Sequence, residues 1–425
     1  MLFFCTIFGS LAQKTGFVYY DSLTYRQYIN KEYTPLLKTG KKALHAGIDY
    51  YYLRMRMGIA AYQQKKYRLA AVHFKKALQY NDNDLVREYL YYSALWGGEP
   101  LLAQETEKGM SAALKKKLPT GNGKLLGTEV SLAYLTRNEK IPDDFSIPQQ
   151  EGYQIIPQQF FDASITLQHK VGTKTQMTHM LTYLNKQNAE YFYKDNKTYY
   201  EPSFNTNQFQ YYLGTFLGLG HAWSLHLNGQ VSFFTQPAYA EVRGRMGSSS
   251  YVKTTVWQTD YVLAASLVKN YPRFSLEAGL AAIHIQNRVA WQPSGIFRLF
   301  PFANLDFYTV SRFSYLVRND YGTFFQQQKI GGKILGKLWM EGSYFSGNVS
   351  GFTLDNSMLL FNGPEEINRM AGIRFIYLTG SKTKINLGYQ YRQQTTYFIP
   401  ANSDVRTNKA DYNYSLFYIL VSWSF

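Results

Sequence analysis

After Pro119-Thr120-Gly121-Asn122-Gly123 the spacing of apolar residues changes from the 3.6 of an α-helix to the 2 of a β-strand, and it stays near 2 to the C-terminus. No other feature restricts the possible folds as strongly. In the segment from 383, Ile385, Leu387, Tyr389 and Tyr391 alternate with Lys384, Asn386, Gly388, Gln390 and Arg392. In the segment from 205, Phe209, Tyr211, Leu213, Leu217 and Leu219 alternate with Gln208, Gln210, Gly214, Gly218 and Gly220. Each has one apolar face and one polar or glycine-rich face, as a sheet between lipid and a wet interior requires. Mean hydropathy is −0.31, and beyond the first dozen residues nothing approaches the ~20 apolar residues of a membrane-spanning helix. A helical membrane protein is thereby excluded. A membrane barrel is not, because its alternating strands average to a hydrophilic sequence.

Breaks between strands are of two kinds. Tight connections are expected around 172–174, 221–223, 270–272, 311–312, 336–337 and 380–382, and long ones over 137–158, 185–203, 236–254, 288–300, 319–325, 348–367 and 394–410. Short and long alternate, as inner turns and outer loops do in such barrels, and counting across them gives about 14 strands, an even number. The last strand carries the most specific pattern. Phe417, Ile419, Val421, Trp423 and Phe425 are all apolar, with Ser422 and Ser424 interleaved.

The first 124 residues obey the helical period. Met1–Ala12 is a short apolar run ending in small residues and is expected to be a signal peptide, leaving 13–124 as a helical module and 125–425 as the barrel. Cys5, the only cysteine, falls in that run, so disulfides, thiolate metal sites and a cysteine nucleophile are not expected. Leu36, Leu37, Leu44 and Ile48 suit one helix, Leu53, Met57, Ala60 and Ala61 a second, and Ala70, Phe74, Ala77 and Leu78 a third. Residues 14–124 hold 19 Lys and Arg against 9 Asp and Glu, so most of the chain's net charge of +16 lies there. For an exported protein this points to anionic headgroups or an acidic partner rather than nucleic acid.

Little in the chain suggests chemistry. Gly331–Lys337 fits most of a phosphate-binding loop, but Leu338 stands where Ser or Thr is required and no helix follows. The seven His form no metal-binding spacing, and no His-x-Ser suggests a hydrolase. The expectation is a non-enzymatic protein without cofactor, metal site or catalytic residue. Polar-face positions such as Asp162, Asp260, Glu277, Glu341, Arg374 and Arg392 mix both signs, which fits ion pairs across a crowded lumen or a weakly selective pore wall, and interior Tyr212 and Phe216 suggest a poorly conducting barrel.

Two resemblances attach to particular residues. Gly58, Ala70, Phe74 and Ala77 stand at spacings of 12, 4 and 3 and resemble one tetratricopeptide repeat, a 34-residue helical hairpin, with its closing Pro replaced by Asn81-Asp82-Asn83-Asp84. The resemblance implies that these four pack the hairpin, while Tyr52, Met55, Ile59 and Tyr62 line a concave partner-binding groove. Residues 417–425 resemble the terminal strand of bacterial outer-membrane proteins, which the barrel-assembly machinery recognises. The layout resembles outer-membrane barrels with an N-terminal tetratricopeptide segment, a type frequent in Bacteroidetes. It implies an α + β multidomain protein, with short helical hairpins in the periplasm and a transmembrane antiparallel barrel in contact with lipid and lipopolysaccharide. The favoured function is an accessory or scaffold component that docks a periplasmic or outer-membrane protein. The alternative is a conduit for a polysaccharide or small solute.

Overall fold

The computed structural model describes residues 3–118, 123–142, 145–243, 249–318, 321–380, 382–400 and 407–424. Helices come first: α1 (Phe3–Ile29), α2 (Tyr33–His45), α3 (Tyr51–Gln63), α4 (Tyr67–Tyr80), α5 (Asp84–Trp96), α6 (Pro100–Lys108) and α7 (Ala112–Lys115). Gly58 on α3 permits the close crossing of α4, since a Cβ there would stand 2.6 Å from Phe74 Cε1. Ala70, Phe74 and Ala77 are fully buried beneath it. The Asn-Asp run that replaces the expected Pro starts a helix, with the Asn83 side chain accepting from the Val86 N–H. Helix α2 stops short of Ile48. Gly47 takes a left-handed φ of +77°, and the Ile48 N–H donates back to Ala43 O, closing the helix C-terminus.

The barrel strands are β1 (Leu125–Arg137), β2 (Gly152–Val171), β3 (Thr175–Lys194), β4 (Lys197–Gly220), β5 (Trp223–Arg243), β6 (Ser249–Asn270) and β7 (Phe274–Ile285). They continue with β8 (Arg288–Leu299), β9 (Phe307–Arg318), β10 (Tyr321–Leu335), β11 (Leu338–Val349), β14 (Glu366–Leu378), β15 (Thr383–Pro400) and β16 (Thr407–Ser424). These 14 strands pair antiparallel with their neighbours and close into a ring through β1 and β16, with Thr128 opposite Trp423 and Leu132 opposite Ile419. Between β11 and β14 lies a small hairpin, β12 (Phe352–Leu354) and β13 (Leu359–Phe361).

Several connections differ from those the sequence suggests. Residues 288–300 are not a loop but strand β8, reached by a two-residue turn at Gln286-Asn287, and no turn occurs at Ser311-Arg312, which lie inside β9. Pro293 and Gly295 make β8 look like a loop. Pro293 has no N–H to give the ladder, and the β8–β9 register runs from Trp291–Val317 directly to Ser294–Ser314 across it. The expected loop at 185–203 is likewise strand on both sides of a turn at Asp195-Asn196, whose left-handed φ values of 50° and 58° suit a tight hairpin.

Polarity is inverted relative to a soluble protein. Leu263 is 64% exposed and Phe417 53%, while Asp260, Gln154 and Ser232 are fully buried inside the ring. An apolar outer wall around a polar interior, with every edge paired, is a lipid-spanning barrel. Trp223, Tyr271 and Trp423 are exposed at the strand ends on the helical side, forming part of an aromatic belt. No described helix is long and apolar enough to cross a membrane.

Candidate functional site in the barrel lumen

The hairpin β12–β13 sits inside the ring. Gln292 of β8 clasps its backbone, donating from Nε2 to Thr353 O at 2.9 Å and accepting from the Thr353 N–H at 3.0 Å. Asn362 donates to Asp260 Oδ2 of β6 at 2.8 Å and to Gln208 Oε1 of β4 at 3.2 Å. Ion pairs join Lys186 of β3 to Glu365 at 2.8 Å and Lys329 of β10 to Asp355 at 3.2 Å. The Arg392 guanidinium of β15 lies over the Phe361 ring at 5.6 Å. A segment can touch inward side chains from six strands spread around the ring only by lying in the lumen.

Around it the lumen is largely filled, leaving a cavity of about 70 Å³ beside Lys186, Gln208 and Asn362. Phe352 stacks on Phe361 at 4.5 Å and meets Phe325 and Phe345, within a buried apolar cluster that includes Ile283 and Leu316. At the hairpin's tip Asp355, Asn356 and Ser357 all hold left-handed φ, between 48° and 65°. Three consecutive non-glycine residues there store strain that only the surrounding contacts can hold.

The helical module covers the other mouth, and Arg68 of α4 is its central contact. This side chain, 2% exposed, donates to Gly97 O at 2.9 Å, Tyr271 O at 3.0 Å and Pro272 O at 3.2 Å, and lies 4.3 Å from the Phe300 ring centroid. Glu99 is 3.3 Å away. Burial pushes the Glu99 carboxyl above its ordinary range, against the pull of Arg68, and burial likewise lowers Arg68 itself. Further out, Gln104 of α6 donates to Gly172 O and Thr175 O, both at 3.1 Å, and Glu107 pairs with Lys170 at 2.7 Å. Where the β4–β5 turn passes α4 and α6, a cavity of about 320 Å³ remains between module and barrel.

The four expected groove residues are not brought together as one open face. Tyr52 is 63% exposed, but Met55 is buried and Ile59 and Tyr62 pack against the same core as Phe74. Met55 therefore belongs to the interior, and Tyr62 to an aromatic cluster with Tyr67, Tyr89 and Trp96. Ile59 lies beside them because α5 crosses where a free groove was expected. Phe417, Ile419 and Trp423 point outward as the alternation requires. Val421 is half-buried between Val130 and Ile385, and Phe425 lies outside the described residues.

Tyr212 is inward and buried, donating to Asn228 Oδ1 at 2.9 Å, and opposite charges pair along the wall, as in Glu277–Arg298 and Glu341–Arg374. Ser224 and His226 are 3.4 Å apart near the mouth that the helical module covers. Among the described residues the ring's other nitrogen, Nδ1, has no hydrogen-bond partner. Among the described residues no three His, Cys, Asp or Glu side chains form a metal-binding group.

The lumen hairpin, Arg68 and Gln104 went unseen in the sequence. A signal for the hairpin was available: Phe352, Leu354, Leu359, Leu360 and Phe361 are too apolar for a loop in water.

No family model matches the sequence, and no curated protein matches it. Among solved structures, the chain is similar to a Pseudomonas aeruginosa FadL homologue at 9% identity, covering 71% of this chain and 90% of that one with a TM-score of 0.46. It is also similar to a deletion mutant of the TodX monoaromatic hydrocarbon channel at 10% identity, 75% and 94% coverage and a TM-score of 0.44. For the KdgM porin the values are 7%, 70% and 99%, with a TM-score of 0.29. These likenesses concern fold alone.

Proposed function

We propose that this protein is a gated outer-membrane conduit for a small solute, with the lumen hairpin as its plug. The observation that carries this reading is the way the hairpin is held. Its anchors are side-chain hydrogen bonds, ion pairs and ring contacts to the wall, and its strained tip favours leaving once they are broken. The ring closes by its own strand pairing, in which the hairpin takes no part. A barrel serving only as an anchor has no use for a removable filling. Replacing 352–361 by a short Gly-Ser link should convert a nearly silent protein into one with large, steady single-channel currents in planar bilayers, while heat-modifiability shows an intact barrel. Currents as small as those of the wild type would overturn the plug reading.

A second reading assigns the tetratricopeptide-like module, facing the periplasm, to partner binding. It is favoured by the exposed Tyr19, Tyr25 and Tyr52 on its surface, because exposed Tyr side chains make rigid contact groups. Tyr52→Ala should then reduce copurification of a partner from native membranes about tenfold or more. An unchanged partner set would leave the module as a closure of the barrel alone.

A further inference from the structure

The cavity between the helical module and the inner mouth has the make-up of a binding site rather than a packing gap. Its volume, about 320 Å³, is within the range of small-molecule pockets, which are mostly apolar with a few polar groups. Val72 of α4 and Leu101 of α6 line it from the helical side, and Phe216 and Val268 from the barrel. Gln176, Ser224 and Ser275 contribute polar groups from the wall.

Its charges are asymmetric. Arg298 is paired with Glu277 at 2.7 Å, Lys174 with Glu105 at 3.4 Å, and Glu99 with Arg68 at 3.3 Å, so these lining groups are already neutralised. Lys75 also lines the cavity; its charge acts on nearby Glu99, but it makes no ion pair of its own among the described residues. The pocket therefore presents an apolar body and one ammonium that is not held in an ion pair.

We propose that this cavity binds a small organic anion with a flat apolar body, such as an aromatic carboxylate, at the inner exit of the barrel. The apolar walls take the body and Lys75 takes the carboxylate. The assignment deepens the conduit reading and rests on it for its transport role, but binding itself does not.

Gly218 allows a direct test. It lines the cavity, and a Cβ there would stand at ordinary contact distances from its nearest atoms, 3.6 Å from Lys174 O and 4.0 Å from Leu101 Cβ, so a side chain added at this position is expected to occupy the cavity. Titration calorimetry of the full-length protein in nanodiscs with 1-naphthoate should give one site with a Kd on the order of tens of micromolar. Gly218→Leu should weaken binding at least tenfold. Leu101→Trp, which fills the same space from the helical side, should do likewise, so a folding defect in one variant does not decide the result. Lys75→Gln should weaken naphthoate about fivefold and leave neutral 1-naphthylmethanol unchanged. Absence of saturable naphthoate binding, or wild-type affinity in both filled variants, would overturn the proposal. Flux of naphthoate into proteoliposomes separates the two readings. Binding without flux, with the plug deleted, would sink the conduit and keep the site, whereas flux with no binding would sink the site alone.

Discussion

At the scale of single residues, burial decides what the side chains of the module do. His73 on α4 is 5% exposed, and its Nδ1 lies 3.2 Å from Arg54 Nη1, itself held by Asp49 through two contacts of 2.7 Å. Burial, then the Arg54 charge, pushes the imidazole down from 6.5 to about 4. The folded module therefore holds His73 neutral, and between pH 6.5 and 4 the unfolded chain binds the additional proton. This contribution to stability is complete above pH 6.5 and is lost as the pH falls toward 4, on the order of 3 kcal/mol in all. The urea midpoint of the module, followed by Trp96 fluorescence while the barrel stays folded, should drop between pH 7 and 4.5, and His73→Gln should flatten that dependence. A wild-type slope in the variant would sink the assignment. Gly58 and Phe74 were legible in the sequence because their spacing encodes one contact. Met55 was not, since periodicity places a residue on a face without saying whether another helix covers it.

At the scale of elements, alternation was the readable signal, and it failed where a second requirement overrode it. Strands whose two faces meet lipid and lumen kept the period of 2, so β4 beyond 205 and β15 as far as Arg392 could be read residue by residue, while their outlying ends were taken for loops. Strand β8 hides behind Pro293 and Gly295, which the ladder tolerates because its pairing with β9 skips that point. The strand count survived because the expected strand at 301–310 replaced the real one at 288–299, an error in place and not in number. The hairpin β12–β13 shows the opposite limit. Its residues are apolar enough to be noticed, but choosing between a lumen plug and an outer cap requires Gln292, Asp260 and Lys186, which lie about 60 to 180 positions away.

At the scale of the whole molecule, the question is what holds two parts with separate cores in one arrangement. Arg68 makes several polar contacts where the module meets the barrel. Its guanidinium joins carbonyls of the α5–α6 link to carbonyls of the β6–β7 turn, and its own N–H donates to Ala303 O at 2.9 Å. No sequence pattern announces this, because the partners are backbone atoms about 200 residues distant. Removing the side chain leaves buried Glu99 without its ion-pair partner and only the weaker pull of Lys75, and breaking such a buried pair typically costs about 3 kcal/mol. Both cores are untouched by that loss, so the module should separate from the mouth without unfolding. Glu107 and Lys170, 2.7 Å apart across the same interface, can report this. A zero-length carbodiimide should couple them efficiently in the wild type, giving one cross-linked peptide by mass spectrometry. In Arg68→Ala the yield should fall at least fivefold while heat-modifiability stays normal, and Arg68→Lys, which keeps the charge but not the forked donors, should fall between. Undiminished cross-linking in Arg68→Ala would mean that the Gln104 and Glu107 contacts seat the module by themselves, and that Arg68 only fills the space beneath Phe300.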